Sequence, residues 1–460
     1  MKILFLTLCL LADHTFAQQI DNKQLFSGFD KMLSEQYKSN ETGATALVAR
    51  NGRILYKKAF GMANLEYAIP MQVDNVFRIG SITKQFTAVV ILQLMEQGKL
   101  NLQDDITRFI PDYPTHGHTI TIEHLLTHTS GIRSYTDMKD FEEKMSLDLK
   151  PGELINHFKN EPMEFAPGTK WNYSNSGYFL LGYIIEKITG KTYAHYVEEN
   201  IFKPLGMTNS LYGSDSKIVK YRAGAYDKDS IGFVNAPPIS MTQPYSAGSI
   251  QSTVEDLFKW HQAVHSCQLV KKESLDKAFT KYTLTDGTET DYGYGWYLDN
   301  VQERPTIEHG GGINGFLTQS IYLPKEDVFV AVFSNCNCNP PDVIGAKIAA
   351  LTIGKPYEYK EIPIENTVLK GYTGVYENVK GEQRLISLSE NQLYSQRSGS
   401  TKYKVNAYQK DKFFFESMMT TIEFSRNDTG EIEKLQIKGR QGNEVWKKTN
   451  KPIPTEQEKE

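Results

Sequence analysis

An Asn-Gly pair at positions 51 and 52 parts two apolar-alternating runs, Thr45 to Arg50 and Arg53 to Lys58. Both residues accept positive φ. The pair therefore predicts a two-residue type I′ turn joining two antiparallel strands. Far along the chain, Phe316 to Leu323 and Val328 to Ser334 repeat the pattern around Pro324-Lys325-Glu326-Asp327. Between the two pairs, from Phe77 to Ile250, the spacing is mostly helical. Ser81 opens a run through Phe86, Val89, Val90, Leu92, Leu94 and Met95 that stops at Gly98. It is apolar on most sides, which predicts a buried helix. Tyr178 to Thr189, ended by Gly190, predicts another. Residues 20–40 predict a helix packing Leu25, Phe26, Phe29 and Met32, and a further helix lies around Asp342 to Leu351. Strands at both ends with helices between them give an α/β (α+β) class. The expected architecture is one antiparallel sheet flanked by helices, with a helical subdomain.

At 460 residues the chain has room for two or three domains. Residues 355–367 carry Pro356, Pro363 and many charges and read as a linker. Beyond it, short runs at Tyr372–Tyr376, Arg384–Leu388, Tyr403–Tyr408, Lys412–Phe415, Thr421–Ser425 and Lys434–Ile437 are broken by Gly, Asn and Asp. Residues 368–449 are therefore expected to form a small all-β barrel or sandwich. The polar end from Lys447 onward, and 450–460 in particular, reads as a disordered tail.

At the other end, Lys2, the apolar run Ile3 to Ala12 and Thr15-Phe16-Ala17 predict a signal peptide over residues 1–17. The expected location is secreted or periplasmic, with no stable membrane span. The net charge of -4, with Lys and Arg spread along the chain, speaks against a nucleic-acid partner. Of four cysteines, Cys9 falls in the signal peptide. Cys267, Cys336 and Cys338 allow at most one intramolecular disulfide, and Cys336 and Cys338 read as structural.

Three short motifs carry chemistry. In Ser81-Ile82-Thr83-Lys84, positions i and i+3 share a helical face, so the Lys84 amine can reach the Ser81 hydroxyl. A serine hydroxyl becomes a nucleophile when a base takes its proton. A lysine serves as that base only when burial or a nearby cation drives it neutral. In Tyr173-Ser174-Asn175, the phenol can relay a proton, and the Asn175 amide suits a substrate amide. In His309-Gly310-Gly311-Gly312, glycines allow close backbone approach, and an N–H aimed at Ser81 would complete an oxyanion hole. Taken alone, this last segment reads as a glycine turn before an edge strand.

Together the motifs resemble the serine β-lactamase and penicillin-binding-protein superfamily. Arg78 to Leu100 is similar to its first active-site helix, and His124 to Gly131 (HLLTHTSG) resembles one of its signatures. Phe165 to Asn175 resembles the second motif. Pro204-Leu205-Gly206-Met207 and Ala247-Gly248-Ser249 to Asp256 resemble the landmarks that follow. His309-Gly310-Gly311 resembles the third motif in its His-first form, as in class C-like esterases and D-Ala-D-Ala carboxypeptidase-like members. The resemblance spans roughly 22–350, with a hydrolase domain assigned to 22–354.

It implies that Ser81 is the acylated nucleophile and that Lys84 and Tyr173 share base and acid duty. Asn175 would contact the substrate amide. His309, Gly310, Gly311 and Gly312 would line the site, and the N–H groups of Ser81 and Gly312 would form the oxyanion hole. It also implies a lipocalin-like C-terminal module. The implied substrates are D-amino-acid peptides, esters or β-lactams, with no cofactor. The third motif lacks the Lys-Thr-Gly of most efficient β-lactamases, and no separate deacylating glutamate is identifiable. A D-peptidase or esterase is therefore expected before a β-lactamase. A penicillin-binding receptor or non-catalytic binding protein is the reading from another class.

His124 and His128 stand four apart and could share a metal. The Glu of a zinc-protease HExxH is missing, so both read as helix-packing residues. No Gly-x-Ser-x-Gly elbow of an α/β-hydrolase is present.

Overall fold

The computed structural model describes residues 22–214, 216–415, 419–440 and 442–452. The expected signal peptide at 1–17, Cys9 with it, and residues 453–460 of the expected tail lie outside the described residues.

The chain opens with helix α1 (Asn22–Gln36), which buries Leu25, Phe29 and Leu33; Phe26 and Met32 are half-buried. Strands β1 (Ala44–Arg50) and β2 (Arg53–Phe60) follow. Asn51 and Gly52 join them at φ 52° and 68°, the two positive angles that the Asn-Gly pair predicts. Helix α2 (Thr83–Glu96) comes next. Helix α3 (Ile122–Leu126), α4 (Asn175–Thr189) and α5 (Val254–His265) belong to the helical part. The sheet resumes with β3 (Tyr297–Val301), β4 (Arg304–Ile313), β5 (Phe316–Leu323) and β6 (Val328–Ser334), and α6 (Asp342–Thr352) closes this part.

Among the described residues these six strands form one antiparallel sheet in the order β3-β4-β5-β6-β1-β2. The first hairpin thus pairs with the last strand, Ala44 opposite Ser334 and Arg50 opposite Val328. Alternation divides the central strands between two cores. Ala44, Ala46, Val48, Val328, Val330 and Val332 face α1 and α6. Leu47, Ala49, Phe329, Ala331 and Phe333 face the helical part. Because both faces are covered, β6 reads as an unbroken apolar run, and each buried Val or Phe contributes about 1.5–3 kcal/mol. Helix α2 crosses the helical side and is buried from Thr83 to Leu92, with Phe86 stacked on Trp260 at 3.9 Å.

The structure corrects the third motif's local reading. His309 to Gly312 is not a turn: it lies inside β4, and the turn falls at Asn314-Gly315. Nor is β4 an edge strand, because β3 covers it. Cys336 and Cys338 are joined in a disulfide, and Cys267 is exposed and free.

Helix α7 (Asn366–Tyr372) then leads into β7 (Gly374–Glu377), β8 (Gln383–Ser389), β9 (Gln392–Arg397), β10 (Tyr403–Gln409), β11 (Lys412–Phe415), β12 (Thr421–Arg426), β13 (Ile432–Gly439) and β14 (Gly442–Lys448). Each strand pairs with the next, and β14 closes on β7 with Tyr376 opposite Lys448. This is an eight-stranded antiparallel barrel. Ile386, Leu393, Val405, Phe413, Ile422, Leu435 and Trp446 belong to its core, with Leu369 and Tyr372 of α7. Tyr372 is therefore helical rather than the start of a strand. Strands β9 and β14 were not expected, and Lys447 and Lys448 belong to β14 rather than to a disordered end. No helix among the described residues is long and apolar enough to cross a membrane.

Candidate active site

Ser81 sits in a 3-10 turn, Gly80–Ile82, that runs straight into α2. Gly80 holds φ +50°, and a Cβ there would stand 2.9 Å from the Gly312 nitrogen. A Cβ on Gly311 would stand 1.9 Å from the Ile79 carbonyl oxygen. These glycines are thus explained by contact: the turn that carries Ser81 lies directly on the backbone of β4, where a side chain has no room.

Lys84, the second residue of α2, is fully buried. Its Nζ lies 2.8 Å from Asn175 Oδ1, 2.9 Å from the Ala247 carbonyl oxygen and 3.1 Å from Ser81 Oγ. Burial holds its ammonium well below the usual lysine range. A neutral amine has two N–H bonds and one lone pair. The Asn175 and Ala247 oxygens can only accept, so they take both N–H groups. The lone pair is left facing the Ser81 hydroxyl.

Tyr173 precedes α4, whose N-cap is Ser174. Its side chain is hydrogen-bonded to Ser81, and its ring lies 4.8 Å from Lys84 Nζ. Burial pushes its hydroxyl well above the usual tyrosine range, so the phenol keeps its proton. The first residue of α4, Asn175, donates from Nδ2 to Thr136 Oγ1 at 3.1 Å while its Oδ1 faces Lys84. Both ends of this amide are engaged within the protein.

His309 faces the same centre from β4 and is buried. Its Nδ1 lies 2.6 Å from the Gly310 carbonyl oxygen, which can only accept, so the proton sits on Nδ1. Nε2 then accepts from the Tyr292 hydroxyl at 2.9 Å. Burial, with the Lys84 charge nearby, brings its pKa down to about 3. The imidazole is neutral at every ordinary pH.

Residues of all three sequence motifs thus meet at one place, on a sheet flanked by helices. The Beta-lactamase family model matches residues 23–354. The chain belongs to the β-lactamase family of serine hydrolases. Penicillin-binding protein 4* of Bacillus subtilis (strain 168) is 29% identical over 417 residues, which is 85% of this chain and 91% of that protein. Among solved structures, the octameric penicillin-binding protein homologue from Pyrococcus abyssi is similar at TM-score 0.65 and 28% identity, covering 93% of this chain and 100% of that one. A D-stereospecific amidohydrolase from Streptomyces sp. is similar at TM-score 0.58 and 27% identity, covering 68% and 94%.

Several neighbours of this β-lactamase-family site were missed in the sequence. Thr136 and the Ala247 carbonyl hold Asn175 and Lys84. Tyr292, Tyr297 and Trp171 line the side next to His309: Tyr297 lies 5.1 Å from the imidazole, and Trp171 lies 6.4 Å from Tyr297. The unusual run Tyr292-Gly293-Tyr294-Gly295-Trp296-Tyr297 was the available signal. The two signature histidines part company. His124 Nδ1 accepts from the Thr121 N–H in the capping box of α3. His128 lies beyond that helix at φ 58°, so it is not a helical residue. Its Nδ1 accepts from the Ser174 N–H, and its ring packs against that of Tyr173, tilted by 35° with centroids 4.2 Å apart.

Proposed function

We propose that this protein hydrolyses amide or ester bonds through an acyl-enzyme on Ser81, with D-amino-acid peptides, D-amino-acid amides or small esters as substrates. The observation that carries the reading is Lys84: two acceptors occupy its N–H bonds and leave its lone pair on Ser81. In this reading Ser81 Oγ attacks the carbonyl carbon as its proton passes to Lys84. The N–H groups of Ser81 and Gly312 receive the developing oxyanion. The amine or alcohol leaves with a proton relayed through the Tyr173 phenol. Water then repeats the attack on the ester, and Ser81 recovers its proton. Lys84 rather than Tyr173 is the base, because burial favours the neutral form of each.

The substrate class follows from the third motif. A neutral His309, saturated by Gly310 and Tyr292, supplies no cation to a substrate carboxylate. The aromatic surroundings favour an uncharged, apolar group. This argues for esters, amides and internal peptide bonds over β-lactams and C-terminal D-Ala-D-Ala. The similarity to a D-stereospecific amidohydrolase supports the D-amino-acid reading. We assign catalysis to 22–354 and a separate barrel unit to 368–449, joined by 355–367. The N-terminal sequence supports export to the periplasm or medium, which sequencing of the mature N-terminus after Ala17 would test.

The deciding experiment is intact-protein mass spectrometry over time with p-nitrophenyl butyrate, D- and L-phenylalanine p-nitroanilide and a fluorescent penicillin. A transient adduct absent from Ser81→Ala, with product release from the ester or D-anilide, is expected. A permanent penicillin adduct without turnover of the others would replace the hydrolase reading with that of a penicillin-binding receptor.

A further inference from the structure

Among the described residues the barrel meets the six-stranded sheet and its core through Lys438, 4.0 Å from Glu303, through Met419, packed against the core under α1 and α6, and through a buried charge on Arg440. Arg440 follows Gly439, the last residue of β13, which pairs with Gly442 of β14. Its Nη2 donates to Glu308 at 2.6 Å from Oε1 and 2.5 Å from Oε2, and lies 3.9 Å from Asp299 Oδ2. Its Nε donates to the Asn300 carbonyl at 3.3 Å, and its own carbonyl accepts from Asn300 Nδ2 at 3.0 Å. The Arg440, Glu308 and Asp299 side chains are only 12%, 8% and 11% exposed. This is a buried charge cluster made by two parts of the chain far apart in sequence.

Its contacts fall on β3 and β4. Glu308 shares its face of the sheet with Gln319, 3.5 Å away. Alternation along the strand puts its neighbour His309 on the opposite face, towards Ser81. Asp299 and Asn300 belong to β3, which begins at Tyr297, whose ring packs on His309. Arg440 therefore ties together, from behind, the two strands that carry these pocket residues. The far end of β4 is held otherwise, with Gly311 and Gly312 against Ile79 and Gly80.

We propose that Arg440 is a positioning residue for the substrate pocket: its buried guanidinium helps the barrel set where His309 and Tyr297 stand relative to Ser81. The proposal rests on the reading of Ser81 as the nucleophile. Its consequence is a division of labour. The oxyanion end of β4 keeps its place without the barrel, whereas the pocket end does not. Loss of the guanidinium therefore weakens substrate binding more than chemistry.

The test uses the full chain at pH 8 with p-nitrophenyl butyrate, reading kcat and KM separately. Arg440→Gln is expected to raise KM about tenfold while kcat stays within about threefold, the size of coupling between contacting residues. Arg440→Lys, which keeps the charge but loses the fork, is expected to fall between the two. If Arg440→Gln does not fold, the double variant Glu308→Gln/Arg440→Gln removes both charges of the closest pair, so that Glu308 is not left as a buried unpaired carboxylate. Its KM is expected to lie above wild type and below that of any folded single variant. A wild-type KM in either folded protein overturns the proposal, as does a loss confined to kcat. Failure of the wild-type protein to acylate at Ser81 would overturn the catalytic reading and this proposal together, and it is read before any substitution is made.

Discussion

The Tyr292 hydroxyl and His309 Nε2 stand 2.9 Å apart, and the bond decides what the imidazole can offer a substrate. With its other nitrogen committed to the Gly310 carbonyl, His309 has neither a free proton nor a charge. Its pKa of about 3 places its charged form below the working range. His309 should therefore add no inflection to the rate between pH 5 and 8. His309→Lys introduces a cation where none stands. The ratio of kcat/KM for a peptide ending in a free D-Ala carboxylate over its amide should rise about tenfold or more, the worth of one charge-assisted hydrogen bond. An unchanged ratio in the folded variant would remove this side of the pocket from carboxylate recognition.

In the proposed mechanism Lys84 sets the pH dependence of acylation. The rate should climb as Lys84 loses its proton and level off well below the ordinary lysine value of 10.5. Lys84→Met and Lys84→Arg should each cost about 10³-fold or more, Arg included because it cannot act as a neutral base. Stability gives a second readout with a definite sign. Folded Lys84 sheds its proton over a range where unfolded lysine still binds one, so the unfolded state holds more protons. Wild type must then gain stability relative to Lys84→Met as pH rises towards 10.5. Parallel denaturation curves for the two proteins from pH 6 to 10 would refute the depressed lysine.

How much of this could be read in the sequence depended on how local each cause was. Asn51-Gly52 carries its own turn chemistry, so the first hairpin was visible at once. Ser81 and Lys84 are three residues apart, and helical geometry alone brings them together. His309 to Gly312 misled because its glycines look like a turn. They answer instead to the approach of Ile79 and Gly80, a contact no local pattern reports. Thr136, Ala247 and Tyr292 were invisible for the same reason: each meets the site through distant packing. In the barrel, β9 reads Gln-Leu-Tyr-Ser-Gln-Arg and buries only Leu393 and Ser395, too little apolar alternation to announce a strand.

Gly311→Ala tests the close approach of the Ser81 turn to β4. A methyl group would fall 1.9 Å from the Ile79 carbonyl oxygen, so backbone must move. A displacement of about 1 Å in a catalytic array costs about 10²-fold in rate. Overpacking of this kind costs about 1–3 kcal/mol in stability. The expected variant is folded, has a lower Tm, and is about 10²-fold slower in Ser81 acylation. Gly98→Ala is the control for a glycine whose Cβ would meet nothing, though at φ +68° it still pays backbone strain. It should lower Tm without slowing acylation. Equal slowing in both would make the effect one of general stability.

Glu308 makes the barrel contact sensitive to pH, with a sign that follows from burial. Desolvation raises its carboxyl to about 7, against the opposing pull of Arg440. An ordinary glutamate in the unfolded chain titrates near 4.5, so between these values the folded state binds the extra proton. Stability from this group is full below pH 4.5 and is lost as pH rises through 7. The Tm of wild type should therefore fall across this window relative to Glu308→Gln, which has no proton to lose. Above pH 7 Arg440 supplies the positive charge closest to the ionised carboxylate, with Thr306 and Gln319 as neutral donors, so Arg440→Gln should steepen the fall, because it leaves a buried charge without a counter-charge. Calorimetry at half-unit steps from pH 4.5 to 8 on the three proteins separates these cases. Identical profiles for wild type and Glu308→Gln would mean that the carboxylate stays ionised throughout, with the Arg440 pair outweighing burial.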